Sequence, residues 1–94
     1  MRIMIVDYCG TFAEDKDQAR DLRENKIRPV LESSRNRIVL DLARIDSSTQ
    51  SFIHALISGF FQEMGERALE RFEFKNCNKA VKSIISTVIN YSLE

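Results

Sequence analysis

The sequence predicts a small α/β domain, with a mostly parallel sheet of three to four strands and helices packed on it. Three short apolar segments are each followed by a segment with apolar residues at helical spacing, which gives the order βαβαβα. The chain has 94 residues and contains no linker, repeat or low-complexity tract. We therefore expect a single domain over residues 1–94, with right-handed crossovers between parallel strands.

The first strand and helix are predicted in the N-terminal third of the chain. Residues 2–8 (RIMIVDY) are short and rich in β-formers, which predicts a strand. Residues 11–14 (TFAE) have the spacing of a capping box, which predicts that a helix begins there. Because Pro29 lacks an amide donor inside this helical pattern, we expect a kink or break near residues 25–28. The apolar face of the helix would contain Ala19, Leu22, Ile27, Val30 and Leu31.

The central part of the chain repeats this arrangement. Residues 37–42 (RIVLDL) form a nearly continuous apolar run, which predicts a central strand covered on both faces. Ser47 and Gln50 fit a second capping box. Gly65 is placed to end the following helix. The apolar stripe of this helix would contain Ile53, Leu56, Ile57, Phe60 and Met64.

The third strand and helix complete the pattern. Residues 71–75 (RFEFK) alternate phenylalanine with charge, as expected of a strand with one wet face. Residues 76–78 (NCN) would turn the chain. The last helix is predicted from the amphipathic set Val81, Ile84, Ile85, Val88 and Ile89. Residues 66–70 fit a helical extension or a loop equally well.

Composition and charge narrow the classes of function. Fourteen Lys and Arg balance fourteen Asp and Glu, so we expect no general attraction to nucleic acid or to anionic membranes. The longest uncharged run, residues 47–62, is too short and too polar to span a bilayer. The N-terminal residues do not resemble a signal peptide, so we expect a cytoplasmic protein in which Cys9 and Cys77 are thiols.

Motifs for catalysis, metals and cofactors are not found in the sequence. The three glycines are isolated, so no phosphate-binding glycine loop can be written. His54 is the only histidine, and it has no metal-ligand spacing to either cysteine. We therefore expect no catalytic residue, no metal and no cofactor. Cys77 is either a small buried hydrophobic residue or a thiol whose pKa a helix N-terminus lowers.

The segment after the central strand is the candidate functional loop. Residues 46–52 (DSSTQSF) contain four hydroxyl side chains before a predicted helix. In open α/β sheets, functional loops lie at the carboxyl ends of the strands, and a helix N-terminus stabilises an added phosphoryl group. The alternative is that these hydroxyls only cap the helix.

Four segments of the chain carry a resemblance to a known family. They are VDY at residues 6–8, GTFAEDKD at 10–17, TQSFIHALIS at 49–58 and FKNC at 74–77. Together they resemble the bacterial STAS-like family of unknown function, which is related to the domains of sulphate transporters and anti-sigma-factor antagonists. The resemblance implies a small α/β switch protein that binds a histidine-kinase-like ATPase. It also implies that this kinase phosphorylates a serine in a D-S-S-G or D-S-T-G motif after the central strand.

The motif can be placed on this sequence in two registers. Matching the triplet itself aligns it with residues 46–48 and makes Ser47 the phosphoacceptor, with Thr49 in place of the glycine. Matching by distance from Asp41 aligns it with residues 49–51, which leaves Gln50 at the acceptor position and Ser51 as the later serine. The candidate phosphoacceptors are therefore Ser47, Ser48 and Ser51, and a docking surface without phosphorylation remains an alternative.

Three hypotheses for function follow. In the first, a regulatory module docks its partner through Asp46, Thr49, Gln50, Ser51, His54 and Ser58, next to Phe61. His54 and Ser58 are four residues apart and would share a helix face. In the second, the protein is a self-associating scaffold or homo-oligomer with an aromatic surface, unless these rings fill the core: Phe12, Phe60, Phe61 and Tyr91. In the third, a small enzyme uses Cys9, His54 or Asp7 in one cleft.

Overall fold

A computed structural model describes residues 1–94 and contains two small parallel sheets. The larger sheet has the order β1–β3–β5 and the smaller sheet pairs β2 with β4. Ile3 lies opposite Leu40, and Leu40 lies opposite Phe74, so the three main strands share one register. The strands are β1 (Arg2–Met4), β2 (Phe12–Ala13), β3 (Ile38–Asp41), β4 (Ser47–Ser48) and β5 (Phe72–Lys75).

Five helices connect and cover these strands. They are α1 (Val6–Cys9), α2 (residues 16–33), α3 (residues 50–64), α4 (Arg67–Arg71) and α5 (Lys79–Ser92). Both α2 and α3 contain a wide π-type turn, at Arg23–Ile27 and His54–Ser58 respectively. None of these helices combines the length and apolar composition that crossing a lipid bilayer requires. The predicted mixed α/β class with parallel strands is confirmed.

The core lies on one face of the larger sheet. Because β1, β3 and β5 are adjacent and parallel, right-handed crossovers place α2 and α3 on the same face. The Phe72 ring packs 5.6 Å from the Phe60 ring and 5.8 Å from the Phe61 ring, centroid to centroid. Phe60 and Phe61 therefore fill the core and do not form an aromatic surface, whereas Phe12 is 49% exposed.

The opposite face of the sheet is open, and the prediction of a central strand covered on both faces is wrong. This face carries the buried carboxylate of Asp41 and five side chains that are exposed or only half-buried: Arg2, Met4, Val39, Glu73 and Lys75. The nearly continuous apolar run over residues 37–42 arises because the outward-facing Val39 is itself aliphatic and lies between the buried residues Ile38 and Leu40. The open face therefore combines the charged side chains of Arg2, Glu73 and Lys75 with the half-buried apolar side chains of Met4 and Val39.

The first strand is shorter than predicted. The amide of Ile5 donates to the Asp41 carbonyl at 3.1 Å, near the end of β3. The next amides turn back, with Cys9 N donating to Ile5 O and Gly10 N to Val6 O, so the chain forms α1. Gly10 ends this helix with φ 70°, a conformation that glycine adopts without a steric penalty.

The predicted capping box at residues 11–14 is also wrong. Phe12 and Ala13 form β2, because they pair in parallel with Ser47 and Ser48. The helix begins after Asp15, whose carboxylate accepts a 2.9 Å hydrogen bond from the Asp17 amide. The pairing of β2 with β4 therefore forms in place of the capping box that the sequence predicts at residues 11–14.

The irregularity expected before Pro29 is present, but as a wide turn within a continuous helix. The amide of Arg28 donates to the Arg23 carbonyl, five residues earlier. Pro29 then lies in the first turn of the next helical segment, where its missing donor costs little. Gly65 ends α3 as predicted, with φ 63°, and residues 67–71 form the separate helix α4.

Candidate functional site

The candidate loop is held on both sides by backbone hydrogen bonds. The Asp46 amide donates to the Thr11 carbonyl at 2.8 Å, and the Thr49 amide donates to the Ala13 carbonyl at 2.9 Å. On the other side, the Asn78 amide group donates to the carbonyls of Ile45 and Asp46 at 3.1 and 2.9 Å. The segment between β3 and α3 is therefore a fixed part of the domain surface.

A buried carboxylate supports this edge of the sheet. Asp41 lies at the end of β3 and is fully buried. Its oxygens accept hydrogen bonds from Asn76 Nδ2 at 3.0 Å, from the Ala43 amide at 2.9 Å and from Arg2 Nε at 2.8 Å. The bonds from Asn76, Ala43 and Arg2 outweigh the opposing effect of burial and lower the Asp41 pKa from 3.8 to about 2. The Asp41 carboxylate therefore joins the end of β3 to Arg2 at the start of β1 and to Asn76, directly after β5.

The three candidate phosphoacceptors differ in accessibility. Ser47 and Ser51 are exposed. Ser48 is only 8% exposed, and its hydroxyl donates to the Thr49 carbonyl at 3.2 Å. Ser51 is the second residue of α3, whereas Ser47 lies in β4. An enzyme acting on the folded domain could therefore reach Ser47 or Ser51 more readily than Ser48.

The helix cap in this loop differs from the predicted one. Thr49 is the N-cap of α3, and its hydroxyl accepts a 3.1 Å hydrogen bond from the Phe52 amide. Ser47 is two residues too early to cap the helix because it is paired with Phe12 in the small sheet. The predicted capping box of Ser47 and Gln50 is therefore wrong, while Gln50 begins the helix with its side chain exposed.

The predicted partner-binding face is only partly present. Asp46, Gln50 and His54 are exposed and Thr49 is half-buried. Ser58 is only 2% exposed, and its hydroxyl lies 2.8 Å from the Ser92 hydroxyl inside the protein. His54 and Ser58 do share a helix face, since they contact the neighbouring residues Tyr91 and Ser92 of α5, but α5 buries Ser58 and leaves His54 exposed.

Phe61 must also be removed from that face. It is fully buried and packs against the Phe72 ring of β5 beside Phe60, although it lies outside the predicted apolar stripe of α3. The exposed part of the predicted surface is therefore the loop and the first turn of α3, and it ends near His54.

A cationic groove lies beside this exposed surface. The groove has a volume of about 520 Å³ and is lined by Lys16, Arg20, Arg23, Gln50, Ser51, His54, Ala55 and Tyr91. Its three cations come from α2, and its lining contains no carboxylate. Two of these cations are partly neutralised by carboxylates outside the lining, Arg20 by Asp17 at 3.5 Å and Arg23 by Glu24 at 3.2 Å. The groove therefore presents positive charge next to the first turn of α3.

Two side-chain contacts set the shape of the groove. The Arg23 guanidinium donates to the Ala55 carbonyl at 2.9 Å and so connects the π-type turns of α2 and α3. His54 Nδ1 is 2.7 Å from the Tyr91 hydroxyl, and the two rings are stacked with centroids 5.7 Å apart. These contacts hold the side chains of Arg23, His54 and Tyr91 in place, while the side chains of Lys16 and Arg20 are exposed to solvent.

Five groove residues are not among the site residues that the sequence predicts: Lys16, Arg20, Arg23, Ala55 and Tyr91. Lys16, Arg20 and Arg23 follow helical spacing, and this spacing could have identified one cationic stripe. The sequence marks Tyr91 only as an aromatic residue, and no local pattern connects it to His54, 37 residues away.

The groups proposed for an enzyme are not brought together. Asp7 and Cys9 lie in α1, and neither lines the groove that contains His54. Burial raises the pKa of the Cys9 thiol. Burial also raises the pKa of Cys77, which disagrees with activation by a helix N-terminus. No three His, Cys, Asp or Glu side chains are grouped as metal ligands would be.

Comparison with known proteins identifies the family. A family model described as "STAS-like domain of unknown function (DUF4325)" matches residues 18–82, which include the loop and most of the groove. No curated protein and no solved structure matches the chain. The match covers more than half of the sequence and agrees with the parallel α/β fold. The chain therefore belongs to the family of STAS-like domains of unknown function.

Proposed function

We propose that this domain is a regulatory protein-interaction module that docks its partner through the cationic groove and the adjoining loop surface. The carrying observation is the set of three cations on α2 that line one groove with the first turn of α3. In a protein whose formal net charge is zero, such a local concentration of positive charge favours an acidic partner surface.

The partner we propose is a histidine-kinase-like ATPase domain, as the resemblance to STAS switches implies. The exposed residues Asp46, Gln50, Ser51 and His54 would contact it together with Lys16 and Arg20. Ser58 is not part of this surface because it is buried. The loop is held in place before binding, so docking would cost little ordering free energy.

Phosphorylation of Ser51 is the regulation that the geometry favours. Ser51 lines the groove, so a phosphate there would face the cations of α2 and the first turn of α3. It would neutralise the charge that attracts an acidic partner and thereby weaken docking. Ser47 is the second candidate, because it is exposed but lies outside the groove lining.

Affinity capture from native cells with a matched pair of variants tests this function. Lys16→Glu with Arg20→Glu reverses the exposed groove charges, whereas Arg35→Glu with Arg37→Glu makes the same change in net charge at exposed residues outside the groove. We expect an ATPase-domain protein to be captured by the wild type and by the Arg35/Arg37 variant, but not by the Lys16/Arg20 variant.

Two results of this experiment would contradict the proposal. One is equal capture by a Lys16/Arg20 variant whose circular dichroism spectrum matches the wild type. The other is the absence of any ATPase-domain protein from the wild-type capture. Mass spectrometry of the tryptic peptide from Ile45 to Arg67 tests the regulation separately, since an unmodified Ser51 and Ser47 would leave docking without a phosphorylation switch.

A further inference from the structure

We propose that β5 pairs with β5 of a second copy of this chain, so that two larger sheets join into one continuous sheet. Strand β5 has four residues, as many as the central strand, and it pairs only with β3. Its other edge carries backbone groups that a further strand can bind. The proposal is independent of the cationic groove, which is lined by residues of α2, α3 and α5.

The backbone of β5 has the geometry needed for symmetric pairing. The Lys75 carbonyl accepts a 2.8 Å hydrogen bond from the Leu42 amide, so the backbone groups of Lys75 point toward β3. Because strand residues alternate in direction, the N–H and C=O of Phe74 point toward the free edge. An antiparallel arrangement with its two-fold axis beside Phe74 lets the two copies of this residue exchange both hydrogen bonds.

The side chains of β5 are self-complementary in this arrangement. The two-fold axis beside Phe74 places Glu73 of one copy opposite Lys75 of the other, and this opposite-charge pair occurs twice. Both side chains lie on the open face of the sheet, and within one chain Lys75 Nζ is 4.0 Å from Glu73 Oε1. Directly opposed opposite charges stabilise an antiparallel pair, whereas like charges destabilise it.

The helix-covered side of the same edge offers apolar contact. A groove of about 320 Å³ separates β5 from α5 and includes Phe74, Cys77, Ile85 and Ile89 in its lining. Phe74 is only half-buried, although it stacks on Phe72 with centroids 6.4 Å apart. In the paired arrangement the two Phe74 side chains lie opposite each other and cover this groove. Pairing with a second copy therefore provides hydrogen-bond partners for the Phe74 backbone, opposite charges for Glu73 and Lys75, and apolar contact for the Phe74 side chain.

A charge-swap series measured by light scattering after size exclusion tests this interface. We expect the wild type to have twice the monomer mass of 10.9 kDa in a dilution series from the micromolar to the sub-millimolar range. Glu73→Lys and Lys75→Glu each place like charges opposite one another twice, so each variant should elute at the monomer mass. The double variant with both changes restores two opposite-charge pairs, so it should recover the dimer mass.

The control for altered net charge is Glu14→Lys, which repeats the charge change of Glu73→Lys at an exposed residue far from β5 in the chain and should remain dimeric. Circular dichroism of every variant checks the fold, which the changes should not affect because Glu73 and Lys75 lie on the open face. A monomeric wild type over the whole series would overturn the proposal. So would a wild-type dimer whose mass the single changes leave unaltered, or a double variant that stays monomeric while it is folded.

Discussion

The carboxylate of Asp41 is expected to make the stability of this domain depend on pH in acid. Asp41 is buried at the end of β3 and accepts hydrogen bonds from Asn76, Ala43 and Arg2. These bonds lower its pKa from 3.8 to about 2. A pKa difference of one unit between the folded and the unfolded chain corresponds to about 1.4 kcal/mol. The ionised form of Asp41 therefore contributes about 2 kcal/mol to the free energy of unfolding at neutral pH.

The sign of the effect follows from the lowered pKa. The unfolded chain binds a proton at Asp41 more readily than the folded chain does, so acid favours unfolding. The contribution is fully present above the unfolded pKa near 4, and it is lost as the pH falls from about 4 through the folded pKa of about 2. Asp41→Asn removes the titrating group, and its neutral amide cannot replace the ion at Arg2.

Urea unfolding followed by circular dichroism at several pH values measures this contribution. We expect the wild type to exceed Asp41→Asn by about 2 kcal/mol or more at pH 7, and this difference to shrink by about 2 kcal/mol toward pH 2. Asp21→Asn is the matched control because Asp21 is exposed. A difference between wild type and Asp41→Asn that is constant with pH would refute the assignment of the lowered pKa to Asp41.

Two further predictions concern the helices that form the site, and both are checked by urea unfolding. Thr49→Ala should lower the free energy of unfolding by about 1 kcal/mol because the Phe52 amide loses its capping partner, whereas Thr49→Ser should cost much less. Ser58→Ala and Ser92→Ala should each cost about 1–3 kcal/mol, because each leaves a buried hydroxyl unpaired. The double variant should cost less than the two single changes added together, and additive costs would show that the two hydroxyls do not depend on each other.

The elements with strong local patterns could be predicted from the sequence. The strands at Ile38–Asp41 and Phe72–Lys75 fall within predicted segments, and the helix at Lys79–Ser92 contains the amphipathic set that predicts it. Each has a clear apolar period and turn residues at its ends. Gly65 could likewise be placed at the end of α3 because a positive φ favours glycine there.

The small sheet of β2 and β4 could not be predicted. Each strand has only two residues, and the two lie more than thirty residues apart in the chain. Local capping patterns at residues 11–14 and at Ser47 therefore predict helix starts. The pairing of Phe12 with Ser47 competes with those caps and prevails, because it satisfies backbone groups of both segments at once.

Tertiary packing explains the errors along α3. The spacing of His54 and Ser58 correctly predicts a shared helix face, but it does not reveal that α5 packs on this face and that Ser92 buries the Ser58 hydroxyl. The contact between Arg23 and the Ala55 carbonyl likewise follows from tertiary packing and not from any motif.

The backbone around the loop has a consequence for any switch that it contains. The Asp46 and Thr49 amides are bound by carbonyls of the segment that contains β2, and the Ile45 and Asp46 carbonyls are bound by Asn78 at the start of α5. A phosphate on Ser51 would therefore meet a surface that is already fixed. Its effect on a partner would come from the change in charge beside Lys16 and Arg20, and not from refolding of the loop. A salt-sensitive loss of docking, with the circular dichroism spectrum unchanged, is the behaviour that this arrangement requires.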